Sequence, residues 1–137
     1  VFYGGTFSAN PLSMYAATQI LEDITQNKTQ KPLIDYDKLN HLGEYFRNTL
    51  NSFFIDNSYS IRVLGCNSVN RLIFTDKPIR NRSERDLLES KNQKQFYKSL
   101  VKEGIFINTN GIIHLSMCHL KLIDKIIHKI KKVSRND

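Results

Sequence analysis

Residues 3–14 have the sequence YGGTFSANPLSM, which joins a glycine-rich loop directly to the start of a helix. Asn10 is a good N-cap residue, because its side chain can accept hydrogen bonds from the first free amides of a helix. Pro11 suits the first helical position, where its missing N–H is not needed. Apolar residues then recur with helical spacing, so we predict a helix over residues 11–27. Those residues are Leu12, Ala16, Ile20 and Ile24.

The loop in front of this helix has the chemistry of half a phosphate site. Gly4 and Gly5 let the backbone turn and present its amides to a ligand. The hydroxyls of Thr6 and Ser8 can donate hydrogen bonds to phosphate oxygens. A glycine turn before a helix is also a common connection, so the residue types alone leave both interpretations open.

A long second helix is predicted after a polar linker over residues 28–32. Its apolar residues repeat every three or four positions, which is typical of a helix that buries one face. These residues are Leu39, Leu42, Phe46, Leu50 and Phe53. Asp35 or Asp37 can cap the start of this helix.

The middle of the chain predicts a β-hairpin. Apolar residues alternate or cluster over residues 60–64 and 70–75, and the Gly-Cys-Asn-Ser segment at residues 65–68 separates them. That pattern favours two strands joined by a turn. The following segment, residues 76–93, is strongly polar and is predicted to be a loop.

The last part of the chain predicts two helices and two more strands. A third helix ends at Gly104, and strands at residues 105–107 and 112–117 flank the Asn-Gly turn at residues 108–111. The apolar residues that mark the third helix are Phe96, Leu100 and Val101. Those of the final helix are Leu122, Ile123, Ile126, Ile127, Ile130 and Val133. Strands and amphipathic helices without regular βαβ alternation indicate an α+β fold, with helices flanking a small, mainly antiparallel sheet.

The order of residues is more specific than their chemistry. The segment GTFSANPLSM at residues 5–14 resembles the class III aminotransferases, and among them the glutamate-1-semialdehyde 2,1-aminomutases most closely. Further segments follow in the order of that family, so the resemblance spans nearly the whole chain. They are residues 36–44, 74–81, 96–106 and 113–116.

This resemblance implies a cofactor and its ligands. The family's Gly-Thr pair matches Gly5 and Thr6, which implies that these two residues bind the phosphate of pyridoxal 5'-phosphate held by the neighbouring subunit of a homodimer. Ser8 is a possible assistant, and Asn10 is interpreted as a helix cap without a ligand role. No catalytic residue is assigned.

The resemblance also implies a domain organisation. Residues 1–34 correspond to a phosphate loop and an interface helix of the large-domain region, and residues 35–137 to the C-terminal small domain of a fold-type I enzyme. The chain is expected to be a C-terminal fragment of a cytoplasmic enzyme that transfers an amino group between small amino or keto substrates. In the family, the lysine that holds the cofactor as a Schiff base precedes the Gly-Thr motif, so we expect the isolated chain to be inactive.

Two segments depart from the family pattern. Where the family has a Pro-Ser-x-x-Glu loop, this chain has Asn-Thr-Asn-Gly at residues 108–111. The family's Ala-His-Thr is replaced by Cys118, His119 and Leu120, and His119 is interpreted as structural. These departures leave the substrate open, and an aminosugar or a keto acid is an alternative to the aminomutase substrate.

The charge of the chain suggests a different class of function. The formal net charge is +7, and the densest basic patch comprises Lys129, Lys131, Lys132 and Arg135. A stand-alone basic domain that binds nucleic acid or an acidic partner through this patch and the loop at residues 80–85 is therefore an alternative, as is a degenerate remnant without function. A solvated basic tail is favoured over a nucleic-acid surface, because no recognised nucleic-acid motif accompanies the patch.

The remaining residues predict neither metal binding nor membrane insertion. Cys66 and Cys118 lack metal-ligand spacing and are expected to be free thiols. The four histidines are isolated from other ligands in the sequence; they are His41, His114, His119 and His128. The chain has no run of apolar residues long enough for a transmembrane helix.

Overall fold

The computed structural model describes residues 5, 8–25, 35–88 and 91–135. The chain divides into two compact units, Val1–Asp35 and Tyr36–Asp137. Each unit is described by itself below.

The first unit contains helix α1, Pro11–Thr25. Asn10 caps it as predicted, because its Oδ1 accepts hydrogen bonds from the amides of Leu12 at 3.0 Å and Ser13 at 3.3 Å. None of the described residues of α1 is buried, and Leu12 keeps 78% of its surface exposed. The predicted last residues of the helix, 26 and 27, lie outside the described residues.

The second unit is built from four helices and three strands in the described part of the chain. In chain order these are α2 (Tyr36–Asp56), β1 (Ile61–Cys66), β2 (Val69–Phe74), α3 (Arg82–Asp86), α4 (Lys91–Lys102), β3 (Ile112–His114) and α5 (Ile123–Ser134). A short 3-10 turn, Met117–His119, precedes α5. Asp37 lies inside the first turn of α2, where its negative charge interacts favourably with the positive end of the helix dipole. It therefore cannot be the cap.

The three strands form one antiparallel sheet in the order β1, β2, β3. The β1–β2 hairpin is confirmed, but its turn is shorter than predicted. Gly65 and Cys66 continue β1 and pair with Asn70 and Val69. Asn67 turns the chain with a φ of 49°, a left-handed conformation that asparagine tolerates. The fold class, α+β with an antiparallel sheet, is confirmed.

The core lies between one face of the sheet and helices α2, α4 and α5. Helix α2 packs on β1 and on α5, and α4 packs on α5. The largest fully buried side chains come from these three helices and from β2; they include Phe46, Phe54, Leu72, Phe96, Leu100 and Ile130. Aromatic rings join the strands to α4, with the centroids of Phe74 and Phe96 5.2 Å apart. Burial of this apolar surface is the main driving force for folding.

Residues 105–107 do not form the predicted strand. Their side chains alternate as in a strand, with Ile105 and Ile107 buried and Phe106 91% exposed. The amide of Ile105, however, donates to the carbonyl of Leu100 at 2.9 Å, so the segment turns back on the end of α4. β3 pairs with β2 instead, which makes the predicted pairing around residues 108–111 wrong.

The polar segment 76–93 was wrongly predicted to be a loop throughout. Asn81 starts helix α3 by accepting a hydrogen bond from the amide of Glu84 at 2.9 Å, and α4 begins at Lys91. The predicted strand at residues 112–117 ends at His114. Leu122 is half exposed rather than buried, because it precedes α5 instead of lying within it.

Candidate functional site

Gly5 and Ser8 are the residues of the predicted phosphate loop that the structure describes. Its carbonyl accepts a hydrogen bond from the amide of Ser8 at 2.9 Å, which closes a tight turn. Gly5 is exposed, and a Cβ at its position would lie 3.2 Å from the Oγ of Ser8. A side chain here would require the Ser8 hydroxyl to shift by a few tenths of an ångström, whereas glycine leaves the backbone open to a ligand. Thr6 lies outside the described residues.

The amides at the start of α1 are already satisfied. The Oδ1 of Asn10 accepts hydrogen bonds from the amides of Leu12 and Ser13. The backbone carbonyl of Asn10 accepts one from the amide of Met14 at 2.9 Å. The cap role predicted for Asn10 is confirmed. Any phosphate bound here would consequently be held by the loop before Asn10 and not by the free end of the helix.

The loop at residues 108–111 is a turn closed by hydrogen bonds between its own residues. The carbonyl of Asn108 accepts from the amide of Gly111 at 2.8 Å, and the Oδ1 of Asn108 accepts from the amide of Asn110 at 3.3 Å. Gly111 has a φ of +77°, and a Cβ there would lie 2.2 Å from the hydroxyl oxygen of Tyr97. Only glycine fits this position.

The hydroxyl of Tyr97 lies beside Gly111 of that turn. Its hydroxyl donates to the carbonyl of Leu72 at 2.7 Å, and burial raises its pKa to about 12, although the charge of Arg71 and a hydrogen bond with Gln93 act in the opposite direction. The phenol is therefore protonated at neutral pH and serves as a structural donor. It is not placed to act as a general base.

Known proteins resemble this chain in architecture and in sequence. A glutamate-1-semialdehyde 2,1-aminomutase of Methanobrevibacter smithii is 28% identical over 107 residues, which are 78% of this chain and 24% of that protein. An omega-transaminase from Sphaerobacter thermophilus superposes with a TM-score of 0.74 at 21% identity, over 98% of this chain and 30% of that one. A transaminase solved with PLP bound gives a TM-score of 0.70 at 19% identity, over 99% and 30%.

The chain resembles the C-terminal part of a class III aminotransferase. Its second unit has the fold of the C-terminal domain of fold-type I transaminases. This class III-like chain spans about a quarter of the length of the curated relatives it matches. No protein-family model matches it.

The basic patch of this class III-like chain packs against the chain itself. Lys131 and Arg135 lie over the ring of Phe53, with the Nζ and Cζ atoms 5.1 and 5.5 Å from its centroid. Lys132 forms an ion pair with Glu103 at 2.8 Å, and the hydrogen bond from Lys132 lowers the pKa of that carboxyl. Lys129 donates to the carbonyl of Glu103 at the end of α4. These contacts give the patch a structural role and do not favour the stand-alone basic domain.

His119 has a structural role, as predicted. Its Nδ1 accepts a hydrogen bond from the amide of Ser116 at 2.9 Å, which fixes the 3-10 turn before α5. Cys66 and Cys118 are free and exposed. Within the described ranges, no three metal-ligating side chains cluster, and no helix has the length and apolarity needed to cross a bilayer.

Proposed function

We propose that this chain forms the C-terminal part of a pyridoxal phosphate-dependent enzyme of the class III aminotransferase type, which transfers an amino group and includes the aminomutases. The observation that carries the proposal is the likeness over 98% of the chain to an omega-transaminase, together with sequence similarity to glutamate-1-semialdehyde aminomutases. The substrate is a small amino or keto compound. The enzyme works as a cytoplasmic homodimer.

In this proposal, residues 1–34 belong to the large-domain and interface region, and residues 35–137 form the small domain. The exposed apolar side chains of α1, such as Leu12, Tyr15 and Leu21, support a covered position for that helix in the whole enzyme. The lysine that holds the cofactor is supplied by a part of the enzyme other than this chain. The isolated 137-residue chain is therefore expected to catalyse no transamination.

The cofactor phosphate is held by Gly5 and Thr6, whose subunit reaches across the dimer to the neighbouring site. The exposed turn at Gly5 fits such a role, because its backbone can be approached closely by a phosphate oxygen. The Thr6 hydroxyl would add a charge-assisted hydrogen bond, which is stronger than a neutral one. When bound, pyridoxal phosphate supplies the electron sink for amino-group transfer.

The test compares cofactor retention in the full-length enzyme that carries this chain with that in two threonine variants. Thr6→Val removes the proposed donor and is expected to weaken retention of pyridoxal phosphate about tenfold or more, measured by cofactor absorbance after dialysis. Thr18→Val is the matched control, because among the described residues the Thr18 hydroxyl donates to the carbonyl of Met14, one turn earlier in α1, at 2.9 Å.

Two outcomes would overturn these assignments. If the full-length enzyme binds no pyridoxal phosphate, the similarity to transaminases reflects a shared fold and not a shared cofactor. If Thr6→Val and Thr18→Val retain the cofactor equally well, the phosphate role of Thr6 is wrong even though the enzyme class stands.

A further inference from the structure

The outer edge of β3 has no strand partner in the described part of the chain, where β3 pairs with β2 alone. The amide of Leu115 donates to the carbonyl of Ser68, and the amide of Leu72 donates to the carbonyl of Gly111, both at 2.9 Å. Hydrogen-bonded and non-hydrogen-bonded pairs alternate along an antiparallel ladder. The backbone amide and carbonyl of His114 therefore point away from β2, towards the open edge.

The opposite edge of the sheet, on β1, is covered. There the side chain of Asn51 bonds to both the amide and the carbonyl of Val63, at 2.8 and 3.0 Å. Along β3, the described contacts supply one comparable bond, from the amide of Ile112 to the Oδ1 of Asn110 at 3.3 Å. Proteins normally pair or cover strand edges, because a row of free backbone donors and acceptors attracts a further strand. The edge of β3 is thus the one at which a strand can be added.

A cavity of about 620 Å³ lies along β3, and we call it the β3 slot. Its lining includes residues 112–115 and, from the segment after α4, residues 104–106. Phe106 is 91% exposed, whereas Ile105 and Ile107 on either side of it are buried. This alternation is typical of an extended segment that has one face on a core and the other face uncovered. The slot therefore combines an open strand edge with an uncovered aromatic side chain.

The rest of the lining restricts what the β3 slot can hold. Leu122 is half exposed at its wall, and the charged side chains of the lining are Lys125 and Lys129. Lys129 donates to the carbonyl of Glu103, and Lys125 is exposed. An extended segment with alternating apolar residues and an acidic residue near Lys125 matches this apolar surface and its positive rim.

We propose that the β3 slot receives an extended segment of the parent enzyme, which adds to β3 as a fourth strand of the sheet. The segment lies outside the 137 residues, so this assignment rests on the proposed function. Length supports this occupant, because the chain spans only 24% of the M. smithii aminomutase and 30% of the omega-transaminase. Backbone hydrogen bonds to His114 hold the added strand, and apolar contacts with Phe106 and Leu122 fix its position.

Hydrogen exchange, resolved to single amides by mass spectrometry, tests the strand pairing. The protection of the His114 amide is compared with that of the Val63 amide, in the full-length enzyme and in the 137-residue chain. Val63 is the matched control, because Asn51 accepts from its amide within the chain itself. In the full-length enzyme the two amides should be protected to within about tenfold of each other, and in the isolated chain the protection of His114 relative to Val63 should fall at least about tenfold.

Variants of Phe106 test the apolar contact by thermal unfolding. Phe106→Ser should lower the unfolding midpoint of the full-length enzyme by about 2 °C or more and leave that of the isolated chain unchanged, since Phe106 is exposed there. Ile55→Ser is the matched control, because Ile55 is 71% exposed at the end of α2 and does not line the slot. It should change neither midpoint.

Three results would overturn the proposal. The first is a full-length enzyme that binds pyridoxal phosphate but protects His114 no better than the isolated chain does; the enzyme class would then stand without the added strand. The second is an equal effect of Phe106→Ser and Ile55→Ser on the full-length enzyme. The third is protection of His114 that rises with the concentration of the isolated chain, which would assign the edge to a second copy of it. Protection of His114 in a full-length protein that binds no cofactor would support the strand pairing and contradict the proposed function.

Discussion

Gly43 of α2 and Asn67 of the hairpin turn approach so closely that no side chain fits between them. A Cβ on Gly43 would lie 1.7 Å from the carbonyl oxygen of Asn67. One turn further along α2, Arg47 donates from Nη1 to the same carbonyl and to the Oδ1 of Asn70, both at 2.8 Å. One stretch of α2 thus fixes both the turn and the start of the central strand.

Substitution of Gly43 by alanine should separate these elements. The added methyl group meets backbone atoms, so α2 and the hairpin must shift apart, and we expect the free energy of unfolding to fall by about 1–3 kcal/mol. Urea denaturation measures this change. Asn48→Ala on the exposed side of the same helix is the control and should change stability by less than about 0.5 kcal/mol. Equal stability of the two variants would contradict the close contact.

The side chain of Asn51 in α2 forms hydrogen bonds with the backbone of β1, at the edge of the sheet. Its Oδ1 accepts from the amide of Val63 at 2.8 Å and its Nδ2 donates to the carbonyl of Val63 at 3.0 Å. Asn51→Leu leaves both backbone groups without partners, and we expect it to lower the free energy of unfolding by about 2–4 kcal/mol.

The matched control for this prediction is Asn57→Leu, because among the described contacts the side chain of Asn57 donates one hydrogen bond, to the carbonyl of Phe53 at 2.8 Å. Its loss should be about 0.5–1.5 kcal/mol in the same denaturation experiment. If the Asn57 variant loses as much stability as the Asn51 variant, the two hydrogen bonds of Asn51 contribute no more to the free energy of unfolding than one ordinary side-chain hydrogen bond.

Elements with strong local patterns were predictable from the sequence. Helices α2 and α5 bury apolar residues at helical spacing, and the β1–β2 hairpin has apolar segments on both sides of a short polar turn. The start of α1 followed from the Asn10 cap and Pro11. In each of these cases the signal lies within about one turn or one hairpin, so no distant contact had to be known.

Features that depend on distant contacts were missed. Residues 105–107 alternate like a strand, but pairing of β3 with β2 leaves them no strand partner in the described part of the chain. The assignment of Gly5 and Thr6 to the cofactor phosphate rests on the family resemblance, and it stays a prediction.

Tyr97 makes stability depend on pH in the alkaline range. Its pKa is raised by burial from 10.0 to about 12, so the folded state resists ionisation that the unfolded state undergoes. The stabilisation is complete below the unfolded value of 10.0 and is lost as pH rises towards the folded value of about 12. At neutral pH, Tyr97→Phe should cost about 1 kcal/mol, because the hydrogen bond to Leu72 is lost.

The expected signature is a crossing of the two stability curves. The parent chain should lose its advantage over Tyr97→Phe above pH 10.0 and become the less stable of the two as pH approaches about 12. Tyr36→Phe, at a half-exposed tyrosine, should instead follow the parent chain throughout. A constant offset between the parent chain and Tyr97→Phe would show that burial of the phenol does not control this loss.

The contacts of Lys131 and Arg135 with Phe53 predict that part of the basic patch stabilises the fold. Replacing either cation by methionine keeps apolar contact but removes the charge over the ring, and should cost about 0.5–1 kcal/mol in urea denaturation. Lys125→Met, at an exposed position of α5, is the control. Because the chain carries a net charge of +7, removing any cation also relieves repulsion, so the control should be neutral or slightly stabilising. A loss at Lys131 and Arg135 alone therefore reports the ring contact, whereas equal effects at all three positions would exclude it.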